Sequence, residues 1–228
     1  MKAEARRPLA VLFDLDGTLL DTAPDLVAAI NFARQEVLSL APLDITSLKD
    51  LITKGAKAMV QHDIPSGLSN ADIETLKTTM LSYYREHIAD FTVFFPGIPN
   101  VIDQFDEQNL QWGVVTNKLS DYTMPLLEAM ELSERSHCVL CADMVDLPKP
   151  APDSLIRAAN KLQIPADRCV YVGDAKTDMQ AAQQAGMFAV AAEWGYIAAD
   201  DPIASWPFDK RFANPELLLE WIEPLTRH

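Results

Sequence analysis

The sequence predicts an α/β protein, a three-layer core with a central parallel sheet over residues 1–20 and 93–228, interrupted by an all-helical insertion over 21–92. Three observations carry this. Five short apolar runs, Leu9–Phe13, Trp112–Val115, Cys138–Cys141, Cys169–Val172 and Phe188–Ala192, read as strands buried on both faces. Helical stripes separate them, and strands alternating with helices call for a parallel sheet covered on both sides. The stretch from about Ala23 to Asp90 breaks that rhythm and contains no convincing strand.

Each element has a local reason. Leu9–Phe13 ends where two acids, Asp14 and Asp16, and then Gly17 end the apolar run. Ile98, Val101, Ile102 and Phe105 form one core helical stripe. Leu155, Ile156, Ala159 and Leu162 form another, with Pro152 suited to its first turn. Met179, Ala182 and Ala185 line a third, which Gly186 stops. The insertion carries three stripes: Leu26, Ile30, Ala33 and Val37; Leu48, Leu51, Ile52 and Met59; Ile73, Leu76, Met80, Tyr84 and Phe91. Pro42 and Pro65-Ser66-Gly67 punctuate it, and Ser69 with Asp72 forms a variant capping box.

Composition narrows the function classes. Of 228 residues, 49% are apolar and 23% charged, which suits a soluble protein with a real core. The net charge of −14 carries no basic block, which excludes nucleic acid and anionic membrane as main partners. The charged start, Met1–Arg7, precedes an apolar stretch that stops at Asp14, too short for a signal core or a membrane span, so a cytoplasmic location is expected. Three cysteines fit a reduced compartment, and Cys138 and Cys141 read as strand residues rather than a metal or redox pair. His62, His137 and His228 have no ligand spacing. A cysteine phosphatase would need Arg six positions after its Cys, and after Cys138 that position is Met144. No nucleophile elbow, Walker loop or dinucleotide fingerprint occurs.

Every strand of the sheet delivers polar groups at its exit, the edge where such sheets bind ligands. Side-chain alternation lets Asp14 and Asp16 point the same way, and two unpaired carboxylates about 4 Å apart repel by ~4 kcal/mol at an effective dielectric of about 20. A divalent cation and a phosphoryl group between them are expected. Trp112–Val115 is followed by Thr116-Asn117-Lys118, a hydroxyl and backbone N–H groups suited to an anion. Lys149 sits between Pro148 and Pro150. Cys169–Val172 leads into Gly173-Asp174, with Asp178 four residues on, one turn along the same helical face.

The order Asp14-x-Asp16-Gly17-Thr18, Thr116-Asn117, Lys149-Pro150, Gly173-Asp174-x-x-x-Asp178 resembles the haloacid dehalogenase-like hydrolase superfamily, with its Rossmann-like core and helical cap. The match covers the whole chain and looks closest to the phosphoglycolate phosphatase branch. Lys54–Val60, Gly113–Lys118 and Trp194–Ile197 are similar to segments of the bacterial N-acetylmuramic acid 6-phosphate phosphatases of that branch. The resemblance implies a phosphomonoesterase acting on a small phosphate ester, 2-phosphoglycolate or N-acetylmuramic acid 6-phosphate. Asp14 is then the nucleophile, forming an aspartyl-phosphate, and Asp16 the general acid and base. Mg²⁺ is held by Asp14, the Asp16 carbonyl and Asp174, with Asp178 orienting a water or Lys149. Thr116, the Asn117 amide and Lys149 bind the phosphoryl oxygens.

Charge counting agrees: four converging carboxylates and a nearly dianionic substrate face one ammonium, Lys149, so metal dependence is expected. In the cap, Lys54 and Gly55, at a break between helices, are candidate leaving-group contacts, with Gly55 allowing close backbone approach; Arg85 and His87 are further candidates. Rival readings are a sugar-phosphate mutase using the same residues, a phosphonoacetaldehyde hydrolase with Lys54 as imine-forming lysine, and a non-catalytic phosphate-binding protein. A monomer or homodimer is expected.

Overall fold

The structure is a computed structural model and describes residues 8–226; the charged start Met1–Arg7 and His228 lie outside the described residues. The six-stranded parallel sheet contains β1 (Ala10–Phe13), β4 (Gln111–Val115), β5 (Cys138–Leu140), β6 (Cys169–Gly173), β7 (Phe188–Ala192) and β8 (Lys210–Phe212). Its order is β5-β4-β1-β6-β7-β8, so the strand that ends in the two acids is central, registered against β4 on one side and β6 on the other. Every residue of β1 is buried. The apolar runs are continuous because helices cover both faces: α5 (Ile98–Glu107), α6 (Ser120–Ala129), α7 (Asp153–Leu162), α8 (Lys176–Ala185) and α9 (Pro215–Thr226).

Five of the six strands match the apolar runs. The sixth, β8, has exposed Lys210 and Arg211 at the sheet edge, where charge discourages pairing with another chain and hides the strand from a hydropathy reading. Pro125 inside α6 obscures that helix in the same way. Pro152 stands at the N-cap of α7 rather than within its first turn, and Gly186 closes α8 at φ +78°.

The insertion leaves and re-enters the core through a two-stranded antiparallel ribbon, β2 (Leu20–Asp21) with β3 (Val93–Phe94). Between them lie α1 (Ala23–Leu38), α2 (Ile45–Ile52), α3 (Ala56–Gln61) and α4 (Asn70–Glu86), and no further strand. The second stripe is split: Leu48 and Ile52 belong to α2 and Met59 to α3, because Gly55 takes φ +82° and resets the chain. The Ser69–Asp72 capping box forms, with Asp72 N–H donating to Ser69 Oγ at 3.2 Å and Ser69 N–H to Asp72 Oδ2 at 3.0 Å. The third stripe ends earlier than its spacing suggests. Helix α4 stops at Glu86, and Phe91 lies beyond it, 64% exposed.

Candidate active site

The chain turns immediately after β1. Gly17, at φ +85°, donates its N–H to Leu20 O at 2.9 Å, and this turn sends the two acids in different directions. The Asp14 carboxylate faces inward, its Oδ1 3.0 Å from Lys149 Nζ. The Asp16 carboxylate faces the insertion and accepts from Thr22 Oγ1 at 2.6 Å and Lys118 Nζ at 2.9 Å. The strand alternation that would put both side chains on one cation therefore does not apply, because Asp16 is no longer in the strand.

A lysine answers each acid. Lys118, which the sequence reading left without a role, is the second ammonium of the site, so charge counting with Lys149 alone understated the positive charge. The signal was available: Lys118 follows Thr116-Asn117 at a strand exit. Burial alone would lower the Lys118 pKa, but Asp16 and the Tyr84 side chain outweigh it and raise it.

Lys149 is 4% exposed, and its ammonium lies 2.7 Å from Asp178 Oδ1, 2.7 Å from Tyr171 Oη and 3.1 Å from Val115 O as well as against Asp14. Burial opposes its charge, yet Asp14 and Asp178 together hold its pKa above the usual value. Asn117 fixes the backbone beneath it, donating from Nδ2 to Lys149 O at 2.8 Å and accepting from Lys149 N–H at 3.0 Å. The Asn117 side chain is thus committed to positioning Lys149, which leaves only its backbone amide for an anion. Thr116 is buried beside it, its Oγ1 accepting from Lys118 N–H at 3.2 Å. Tyr171, within β6 and fully buried, is a further member of the site that an apolar strand pattern conceals.

Asp174 precedes α8 rather than lying on it, so it and Asp178 are not one turn apart on a helical face. Asp174 accepts from Thr18 Oγ1 at 3.0 Å and from Tyr196 N–H at 2.8 Å. Asp178 is the third residue of α8; its Oδ2 takes the Ala175 N–H at 3.0 Å while Oδ1 takes Lys149. Three glycines admit these acids. A Cβ on Gly17 would fall 2.1 Å from Asp174 Oδ2, one on Gly195 2.3 Å from Asp174 Cβ, and one on Gly173 2.5 Å from Asp178 Cγ.

Asp14, Asp174 and Asp178 each offer a carboxylate oxygen within 4.8 Å of the others. Burial, reinforced by Asp178 against the pull of Lys149, raises the Asp14 pKa to about 6. Burial and the charges of Asp14 and Asp178 raise Asp174 well above its usual value. Hard oxygen donors crowded into a buried site with too little positive charge suit a small divalent cation, which would reverse both shifts.

Above this edge lies a cavity of about 240 Å³, lined from the sheet by Asp14, Asp16, Thr116, Asn117 and Lys118, and from the insertion by apolar residues of α1 to α4 together with Thr53, Gly55, Lys77 and Tyr84. Gly55 does line it, with open space where a Cβ would stand, and its positive φ favours glycine. Lys54 does not line it; its Nζ turns outward to Asp200 Oδ2 at 3.0 Å. Arg85 pairs with Asp121 at 3.1 Å and His87 with Asp90 at 2.7 Å, both outside the cavity lining. Tyr84 Oη is buried toward Lys118, whose charge it helps to hold, and its own O–H proton has no acceptor among the described residues, an arrangement that costs about 1–3 kcal/mol unless a ligand supplies one. The three cysteines are buried and free, and burial pushes the Cys138 thiol up to about 11, which argues against metal or redox use.

A parallel sheet thus gathers carboxylates and a buried lysine at its carboxyl edge, beneath a helical insertion. The chain belongs to the haloacid dehalogenase-like hydrolases, whose family model matches residues 11–192. Its relatives include the N-acetylmuramic acid 6-phosphate phosphatase of Pseudomonas aeruginosa, 36% identical over 94% of each chain. The phosphoglycolate phosphatase of Xanthomonas campestris pv. campestris is 35% identical over 96% of this chain and 100% of that one. The crystal structure of a predicted phosphoglycolate phosphatase from Haemophilus somnus superposes with a TM-score of 0.86 at 25% identity, over 95% of this chain and 99% of the other. These likenesses make the chain a phosphatase. No described helix is long and apolar enough to cross a membrane.

Proposed function

We propose that this phosphatase is Mg²⁺-dependent and hydrolyses a small phosphomonoester through an aspartyl-phosphate on Asp14, with residues 21–92 as a cap over the site. The observation that carries this is the placement of Asp14: a carboxylate against Lys149 at 3.0 Å, at the floor of the cavity that Asp16 also lines. Asp14 attacks phosphorus, forming the acyl phosphate as the ester P–O bond breaks, and Asp16 gives its proton to the leaving alkoxide. Water then attacks phosphorus as Asp16 takes its proton, and Asp14 is released with inorganic phosphate. Thr22 and Lys118 hold the Asp16 carboxylate beside the cavity for both transfers. The Thr116 hydroxyl, the Asn117 backbone amide and Lys149 bind the transferring oxygens, where positioning and charge do most of the work.

Mg²⁺ would be held by Asp14, Asp174 and the Asp16 main-chain carbonyl, with Asp178 holding Lys149 in place. When bound, the ion supplies positive charge against the phosphoryl oxygens. The relatives point to 2-phosphoglycolate or N-acetylmuramic acid 6-phosphate as substrate. Three buried free thiols favour a cytoplasmic setting.

The test is phosphate release from an aryl phosphate with Mg²⁺. Asp14→Asn abolishes it, and complete chelation of metal abolishes it in the unaltered protein; activity surviving either change overturns the reading. The imine-forming alternative loses support because Lys54 faces Asp200 rather than the cavity.

A further inference from the structure

Helix α4 presents Lys77, Leu81 and Tyr84 to the cavity, the i, i+4 and i+7 positions of one face. Tyr84 stands at the end that meets the acids: Lys118 Nζ, bonded to Asp16 at 2.9 Å, lies 4.6 Å from the centre of its ring. Lys77 comes seven residues earlier, about 10 Å away along the axis at about 1.5 Å per residue. Its Nζ turns farther still, to Glu74 Oε1 at 3.2 Å, and Glu74 is 66% exposed, so that pair is weak and open to exchange for another carboxylate. Leu81, Leu26 and Met59 make the wall apolar between these two polar ends. The 1% exposed Tyr84, its hydroxyl proton without an acceptor among the described residues, at one end and the half-buried cation at the other describe a ligand that is polar at both ends and apolar between.

We propose that α4 gauges the leaving group: Tyr84 Oη hydrogen-bonds it near the scissile oxygen and Lys77 pairs with a carboxylate at its far end. The inference rests on the phosphatase reading above and narrows its substrate class. A two-carbon hydroxy acid carries its carboxylate two bonds from the ester oxygen and stays at the Tyr84 end. A sugar ring whose carboxylate sits on a substituent several bonds from the phosphate reaches Lys77, with its apolar face against Leu81 and Met59. The preferred class is therefore a phosphorylated sugar acid rather than a phosphorylated two-carbon acid.

The experiment measures kcat/KM with Mg²⁺ for N-acetylmuramic acid 6-phosphate, for N-acetylglucosamine 6-phosphate, which is the same sugar without the lactyl acid, and for 2-phosphoglycolate. The expected preference of the unaltered protein for the sugar acid over the neutral sugar is about tenfold or more. Lys77→Met collapses that ratio to within about twofold of one, mainly through KM, and Lys77→Arg restores most of it. Tyr84→Phe raises KM for both sugars and leaves their ratio in place. An unchanged ratio in Lys77→Met, or a preference for 2-phosphoglycolate over both sugars, overturns the inference. Aryl phosphate hydrolysis by the unaltered protein separates the two levels: its absence removes the phosphatase reading itself, whereas its presence with an unaltered Lys77→Met ratio removes only the role of α4.

Discussion

At the scale of single residues, the site is governed by how buried charge is compensated. Lys149 is the one cation shared by Asp14 and Asp178, and its backbone is clamped by Asn117. Lys149→Met leaves both carboxylates buried without their partner, and breaking such a pair costs about 3–5 kcal/mol. Urea unfolding of the metal-free protein is expected to show a loss of that size, and phosphate release is expected to fall by about 10²–10³. An unchanged unfolding midpoint would mean that the two acids find other partners. Asp14 gives a pH prediction. Its folded pKa of about 6 exceeds the ordinary value of 3.8, so between those values the folded metal-free protein binds more protons than the unfolded chain. Stability from this group is then greatest at acid pH and is lost as pH rises from about 4 to about 6, by about 3 kcal/mol at ~1.4 kcal/mol per pKa unit. A divalent ion competes with the same proton, so apparent Mg²⁺ affinity is expected to weaken progressively below pH 6, read as the Mg²⁺ concentration that half-saturates the thermal shift. Affinity independent of pH between about 5 and 7 would place the ion elsewhere.

Between elements, the informative contact is made by the loop after β7. Tyr196 donates its N–H to Asp174 at 2.8 Å and its Oη to Asp21 at 2.7 Å, while accepting the Ala23 N–H at 2.9 Å. One residue thus joins the acid cluster to the entry of the insertion, and Asp25 closes the exit by accepting from Thr92 N–H at 2.8 Å and Phe91 N–H at 3.0 Å. Tyr196→Phe removes the donor to Asp21 and leaves the buried Ala23 N–H only its longer contact with Asp21 Oδ1 at 3.4 Å, a loss of about 1–3 kcal/mol. Amide exchange is expected to quicken at the start of α1 while β1 and β6 stay protected; uniform acceleration would make the contact merely part of global stability. These links were not legible in the sequence, because the Tyr196 hydroxyl meets Asp21 and Ala23 across 175 and 173 positions, and Asp25 meets Phe91 and Thr92 across 66 and 67. Strands β1, β4, β5, β6 and β7 were legible, since burial on both faces writes an apolar run. The ribbon of β2 and β3 is two residues per strand and too short to carry a period, and β8 and α6 were masked by edge charge and by Pro125. Within the site, Asp14, Asp174 and Lys149 lie together, whereas Lys118, Tyr171 and Tyr84 escaped notice because a strand-exit lysine and buried tyrosines look ordinary until their neighbours are known.

For the whole molecule, the balance of charge sets how folding and cation binding are linked. The chain carries −14 overall, and three of its acids, Asp14, Asp174 and Asp178, converge behind the sheet edge with Lys149 as the ammonium that contacts two of them. The raised pKa values of Asp14 and Asp174 show that the metal-free fold holds these groups against their preference for charge. A cation that binds the folded state and not the unfolded chain returns that energy as stability. At 100 times its dissociation constant it contributes about 2.7 kcal/mol, which for a chain of this length is about 5–10 °C in Tm. Mg²⁺ is therefore expected to raise Tm by that amount in the unaltered protein and to do so in Lys77→Met, whose change lies in the helical insertion, but not in Asp174→Asn. The comparison separates specific binding from general screening of the negative surface, because monovalent salt of matched ionic strength reaches all three proteins alike. A shift of the same size in Asp174→Asn would assign the effect to the surface and remove the acid cluster as the cation site.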